Sequence, residues 1–217
     1  MFLIKNVWIT VLIPLVIGSF HFSKLSKSVR FIYWFVLFGS ITELTNKLFI
    51  YELGIKNTMP IGHLYIAVSF IFVGLFYAYE LHGFIHKRII YTTLVIYELF
   101  CLYNVIFFQS HLSFPSIPGA VSAFLLVLFS ILLFTKIMIE GKIRVLARVP
   151  AFWINTAMLI YYTGNFFYNM LYNMSLNYSV EFALVTIKFS SIFHAAFYVL
   201  ISVGFWKARS IEKKQTR

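Results

Sequence analysis

Seven long apolar runs alternate with short polar connectors along the chain, at about 2–20, 31–53, 61–84, 89–108, 120–139, 151–173 and 180–206. Each is close to the roughly 20 residues that, at about 1.5 Å apiece, cross a bilayer's hydrocarbon core. The pattern predicts an all-α integral membrane protein: one domain of seven transmembrane helices, followed by a short basic tail at 207–217. Breakers punctuate it, with a turn from Gly54 to Pro60 and the loop QSHLSFPSIPG, rich in serine and proline, after the fourth run. The first run resembles a signal peptide in length. Its trailing flank holds Lys24, Lys27 and Arg30 and no small-x-small cleavage site, so it reads as a retained helix.

The sixth run departs from a plain apolar helix. RVPAFWINTAMLIYYTGNFFYNMLYN, 148–173, carries Asn155, Tyr161, Tyr162, Thr163, Gly164, Asn165 and Asn169. A polar group without a partner is costly in hydrocarbon, so these side chains are expected to face other helices. The remaining helices are expected to gather around this one. The fifth run, nearly free of polar groups, is expected to face lipid.

Composition agrees with the bilayer as solvent. The chain is 61% hydrophobic and 12% charged, against about half and a quarter in soluble domains. The net charge of +11 does not point to nucleic acid, because the basic residues sit in connectors. With the N-terminus outside and the C-terminus inside, every Lys and Arg falls on the inner side except Lys5, Lys47, Lys56 and Lys188. That orientation, in a cytoplasmic membrane, satisfies the positive-inside rule. Trp8, Trp34, Trp153 and Trp206 fall near helix ends, as interfacial anchors do. Asp is absent and Cys101 is the single cysteine. Carboxylate clusters for Mg²⁺-diphosphate chemistry, aspartyl proteolysis, disulfides and CxxC redox pairs are therefore excluded.

Counting depth from the inner ends places Glu43, Glu98, Asn165 and His194 at a similar level on four helices. Ionisable groups at that depth are candidate site residues, with interhelical glue as the competing reading. Asn46 and Lys47 follow Glu43 at i+3 and i+4, on one face, and Glu43–Lys47 reads as an intrahelical pair. Asn104 adds an amide to the fourth helix. Tyr161, Asn165 and Asn169 form a stripe on the sixth that suits either a small-molecule pocket or helix packing. His82 and His86, at i, i+4 near the inner end of the third helix, lack further ligands, so neither a metal nor a cofactor is expected. Lys188, toward the outer end of the last helix, reads as a snorkelling side chain rather than a retinal lysine. The sequons at Asn173 and Asn177 fall on the outer side.

PAFWINTAMLIYYTGNFFYNML (150–171) and FSSIFHAAFYVLISVGFW (189–206) resemble a group of short bacterial seven-helix proteins. These form the membrane part of sensor histidine kinases or are encoded beside them. Glu43 after FGSIT, and HLYIAVSF at 63–70, extend the likeness. No kinase segment is present, so the resemblance implies a sensory or partner subunit rather than a catalyst. The expected function is a receptor with a polar pocket among helices two, four, six and seven, taking a small or lipidic ligand. Its basic inner face would meet a signalling protein or anionic lipid. A small-solute transporter of three-plus-one-plus-three topology shares this helix pattern. A lipid-modifying enzyme would need an acid, base or metal set that the chain does not assemble.

Overall fold

A computed structural model describes residues 7–140 and 146–215, without the side chains of 7, 8, 147, 173–178, 180, 183 and 209–215. Lys5, Lys142, Arg144 and Arg217 lie outside the described residues, as do the side chains of Trp8, Asn173, Asn177, Arg209, Lys213 and Lys214. After a 3-10 turn at Val7–Val11 come seven helices: α1 Leu12–Phe20, α2 Lys27–Tyr51, α3 Met59–Glu80, α4 Lys87–Phe107, α5 Ser116–Glu140, α6 Pro150–Tyr178 and α7 Val180–Gln215. Among the described residues there is no strand, only an isolated bridge between His82 and Ile85. Four segments are long and apolar enough to cross a membrane: α3, α4, α5, and Leu184–Ala208 within α7.

Local chemistry sets the helix ends. Ser26 opens α2 by accepting the Val29 amide at 3.4 Å. Pro60 stands in the first turn of α3, where its missing N–H costs nothing. Gly54 (φ 65°) and Gly83 (φ 84°) take the left-handed conformation that stops α2 and α3. The third helix therefore ends at Glu80, short of the expected 84. His82 lies in a turn and His86 caps α4, so the two are not stacked on one helical face. Periodicity alone did not reveal this, because the turn sequence between them is as apolar as a helix end.

The helices form a ring in which α1, α2, α3, α5, α6 and α7 pack in that order, with α7 returning to α1. α4 lies outside it, held mainly by α3. α5 is not a lipid-facing outlier. Its Ser122, Ala123, Leu126, Ser130 and Leu133 are buried, and it packs against both α6 and α3. Apolar content does not separate an outer helix from an inner one here, because close helix contacts are themselves made by small and apolar side chains.

Packing is uneven along the bundle axis. At the end bearing the α1–α2, α3–α4 and α5–α6 connections, Ile32 and Phe35, Phe76 and Tyr77, Ile154 and Met158, and Ile201 and Phe205 are all almost inaccessible. Lys136 ties this end together: its Nζ donates to the carbonyls of Glu80 (2.6 Å) and His82 (2.9 Å) and lies 3.8 Å from the Glu140 carboxylate. Ser28 of α2 donates to the Glu80 carboxylate. Lys24, Lys27, Arg88 and Arg148 are exposed there, so this is the basic end. The other end is looser and holds the cavity.

Candidate functional site

A cavity of about 320 Å³ lies at the end opposite the basic one, between α2, α3, α5, α6 and α7. Asn46 contributes from α2, Tyr65 and Ser69 from α3, Gly119 and Ser122 from α5, and His194 from α7. α6 supplies the longest wall, with Tyr161, Tyr162, Asn165, Tyr168, Asn169 and Tyr172. At i, i+1, i+4, i+7, i+8 and i+11 these face one side of the helix. The polar stripe of the sixth run is thus one wall of a real space.

Three of the polar side chains, Asn169, Tyr161 and His194, are held by specific contacts. Asn169 Nδ2 donates to the Asn165 carbonyl one turn back at 2.8 Å. Its amide lies so close to α5 that a Cβ at Gly119 would come within 2.6 Å of Asn169 Oδ1. The Tyr161 hydroxyl and His194 Nε2 are 3.1 Å apart, and His194 Nδ1 is 3.4 Å from the Ser190 carbonyl. On the opposite α7 seam, a Cβ at Gly164 would come within 2.8 Å of the Phe193 ring, so glycine is what lets α6 and α7 approach here.

Two loops roof the cavity. Asn57 Nδ2 donates to the Leu112 carbonyl (2.9 Å), and His63 Nε2 lies 3.0 Å from the Ser113 carbonyl, so the α2–α3 and α4–α5 loops are stitched together. Gln109 Nε2 holds the Phe114 carbonyl at 2.6 Å. The Phe114 ring then sits 5.7 Å from that of Tyr168 and 4.5 Å from that of Tyr172. Beneath the lining, one to two helical turns toward the basic end, is a polar node: Tyr77 Oη donates to Asn155 Oδ1 (2.9 Å), Asn155 Nδ2 to the Ser130 carbonyl (3.0 Å), and Ser130 Oγ to the Asn155 carbonyl (3.2 Å). Asn155 is fully buried with its side chain satisfied, and binds α3, α5 and α6 together.

The cavity brings together Asn46, Tyr161, Asn165, Asn169 and His194, and leaves Glu43, Glu98 and Asn104 outside it. Glu43 opens onto a separate apolar pocket of about 310 Å³ against α1, beside Lys47, with which it interacts electrostatically. Glu98 and Asn104 sit on α4, outside the ring, where Glu98 Oε1 and Asn104 Oδ1 are buried without a hydrogen-bond partner. The expected pocket among helices two, four, six and seven is thus corrected to one in which α3 and α5 replace α4. Depth counting gives a residue's level, not its direction, and α4 turns out to be peripheral. Tyr65 and Ser69, which sequence reasoning missed, stand one turn apart in an otherwise apolar run; that spacing was the available signal. Lys188 is exposed, and among the described residues no lysine lines the cavity. Among the described residues, no three His, Cys, Asp or Glu side chains converge as metal ligands.

No protein-family model, curated protein or solved structure matches this chain.

Proposed function

We propose that the chain is a seven-span protein of the cytoplasmic membrane, N-terminus outside and C-terminus inside, acting as a receptor or sensory subunit. The observation that carries this reading is the cavity itself: polar groups from five helices surround a space that ends on a tightly packed floor. A pocket closed at one end suits a molecule that binds and reports better than one that passes through. α2 and α6 are not among the four segments apolar enough to cross a membrane by composition, because they carry the polar stripes, and the ring supplies them with partners.

The link to the basic end is α7. Its 36 residues span about 54 Å at 1.5 Å each, more than the roughly 30 Å hydrocarbon core. One rigid element thus joins His194 at the cavity to Lys207 at the inner face. Exposed Lys24, Lys27, Arg88 and Arg148 there suit an acidic patch on a signalling protein, or anionic lipid at about 1 kcal/mol per basic residue.

The test is a density map of protein purified gently in native lipid, with mass spectrometry of what is retained. Non-protein density among Asn46, Tyr161, Asn165 and Asn169 supports the receptor reading. A cavity collapsed onto its own side chains, with nothing retained, overturns it. The transporter alternative requires the Tyr77–Asn155–Ser130 node to open, and solute flux in proteoliposomes would favour it.

A further inference from the structure

α4 lies outside the ring and packs mainly on α3, so α2 and α4 flank the outward face of α3 from its two sides. Along that face Val68, Phe72, Leu75 and Tyr79 recur at i, i+4, i+7 and i+11. None of the four is buried, whereas Phe70, Val73 and Tyr77 on the opposite side of α3 are inaccessible. The α2 bank of this groove is aromatic: the Phe31 ring lies 5.6 Å from that of Tyr79, and the Phe38 ring 6.3 Å from that of Phe72. The α4 bank is drawn close at Gly74, where a Cβ would collide with Leu94. From Tyr79 to Val68 the stripe rises about 16 Å at 1.5 Å per residue. That is close to half of the roughly 30 Å hydrocarbon core, the depth of one leaflet.

The mouth of the groove is basic. Lys87 on the α4 bank places its Nζ 5.1 Å from the centre of the Tyr79 ring. Exposed Arg88 follows it, and His82 and His86 line the same concave turn. On the α2 bank, exposed Lys27 stands one turn before Phe31 on the same face. The carboxylates at this end are engaged elsewhere: Glu80 accepts from Ser28, and Glu140 lies beside Lys136. Basic recesses between membrane helices at the cytoplasmic face suit anionic head groups. A free anion would use the mouth and leave the groove, and a neutral lipid would use the groove and leave the mouth.

We propose that this groove seats an anionic phospholipid, its phosphate at Lys87 with Lys27 opposite, and one acyl chain laid along Tyr79, Leu75, Phe72 and Val68. The proposal rests on the reading of the basic end as the inner face of a membrane protein. Native mass spectrometry tests it, on the full chain released from nanodiscs holding equal parts of phosphatidylglycerol and phosphatidylcholine. The expected result is preferential retention of phosphatidylglycerol, weakened about fivefold by Lys87→Gln and further by adding Lys27→Gln. Lys188→Gln, at the opposite end, should leave retention unchanged. Leu75→Trp fills the groove without altering the charges and should also lower it. Equal retention of the two lipids overturns the anionic class. An equal loss in Lys188→Gln reduces the effect to net charge and overturns the site, and retention indifferent to Leu75→Trp overturns the chain placement. Displacement by inorganic phosphate assigns the mouth to a free anion and overturns the lipid. Binding in nanodiscs does not depend on orientation, so its failure leaves the receptor reading to the density in native lipid.

Discussion

The Tyr161 hydroxyl and His194 Nε2 face each other across 3.1 Å, joining α6 to α7 at the cavity wall. A carbonyl only accepts, so the contact of His194 Nδ1 with the Ser190 carbonyl puts the ring proton on Nδ1. In the neutral ring Nε2 then accepts from Tyr161, and the imidazole is oriented at both nitrogens. Tyr161→Phe is expected to cost about 1 kcal/mol, read as a lower melting temperature with unchanged helical circular dichroism. An unchanged melting temperature would remove this bond from the account of the α6–α7 seam.

The Tyr77–Asn155–Ser130 node offers a sharper test. Asn155→Leu strands the Tyr77 hydroxyl in a buried space, an expected loss of about 1–3 kcal/mol, and removes the second donor to the Ser130 carbonyl, which keeps its helical partner. Tyr77→Phe removes one donor and costs less. The double variant should recover part of the Asn155→Leu loss, because it leaves no stranded hydroxyl. A double-mutant cycle on denaturation midpoints reads that coupling; strict additivity would count against the node.

Gly119 and Asn169 test whether the wall is shaped by close approach. Gly119→Ala pushes a methyl group into the Asn169 amide. The amide yields only by giving up its bond to the Asn165 carbonyl, so the cost is at most the roughly 1–3 kcal/mol of overpacking. The expected readout is weaker retention of whatever co-purifies in the cavity, together with reduced stability. Gly119→Ala combined with Asn169→Ser should relieve the clash and recover stability.

Lys136 holds the turn between α3 and α4 through two backbone carbonyls. Lys136→Met keeps the apolar stem and deletes both bonds. Hydrogen bonds from a charged group contribute about 1.5–3 kcal/mol when buried, and partial exposure at the interface reduces that. Amide exchange at Leu81–Ile85 is expected to speed up while exchange in α6 is unchanged. Equal effects in both helices would mean a global loss of stability rather than a local anchor.

Orientation has a direct test, helped by the single native cysteine. In a Cys101→Ala background, Leu112→Cys in the cavity roof is expected to react with a membrane-impermeant maleimide on intact cells. Lys27→Cys at the basic end is expected to react only after permeabilisation. The reverse pattern would invert the proposed orientation and place the cavity on the cytoplasmic side.

Much of the architecture was legible without coordinates. Helical character and the seven helices follow from runs of apolar residues that only helices make long enough, closed by Ser26, Gly54, Pro60 and Gly83, although the first run is α-helical only over Leu12–Phe20. The polar face of α6 was legible too, because Tyr161, Asn165 and Asn169 recur at helical spacing and hydrocarbon gives them no partner. Direction and neighbourhood were not. Glu98 and Glu43 had suitable depth, yet one sits on the peripheral α4 and the other turns toward α1.

By itself, then, the sequence determined which segments become helices and which faces need polar partners, since both depend on local spacing and solvation. Only the tertiary structure decided who those partners are. Asn155 meets Tyr77 and Ser130, Tyr161 meets His194, and Asn169 meets Gly119, pairs separated by long stretches of chain. Their meeting depends on ring order and helix rotation, which arise from the packing of whole surfaces. That packing filled the basic end and left a space at the other, and no single run of residues encodes the difference.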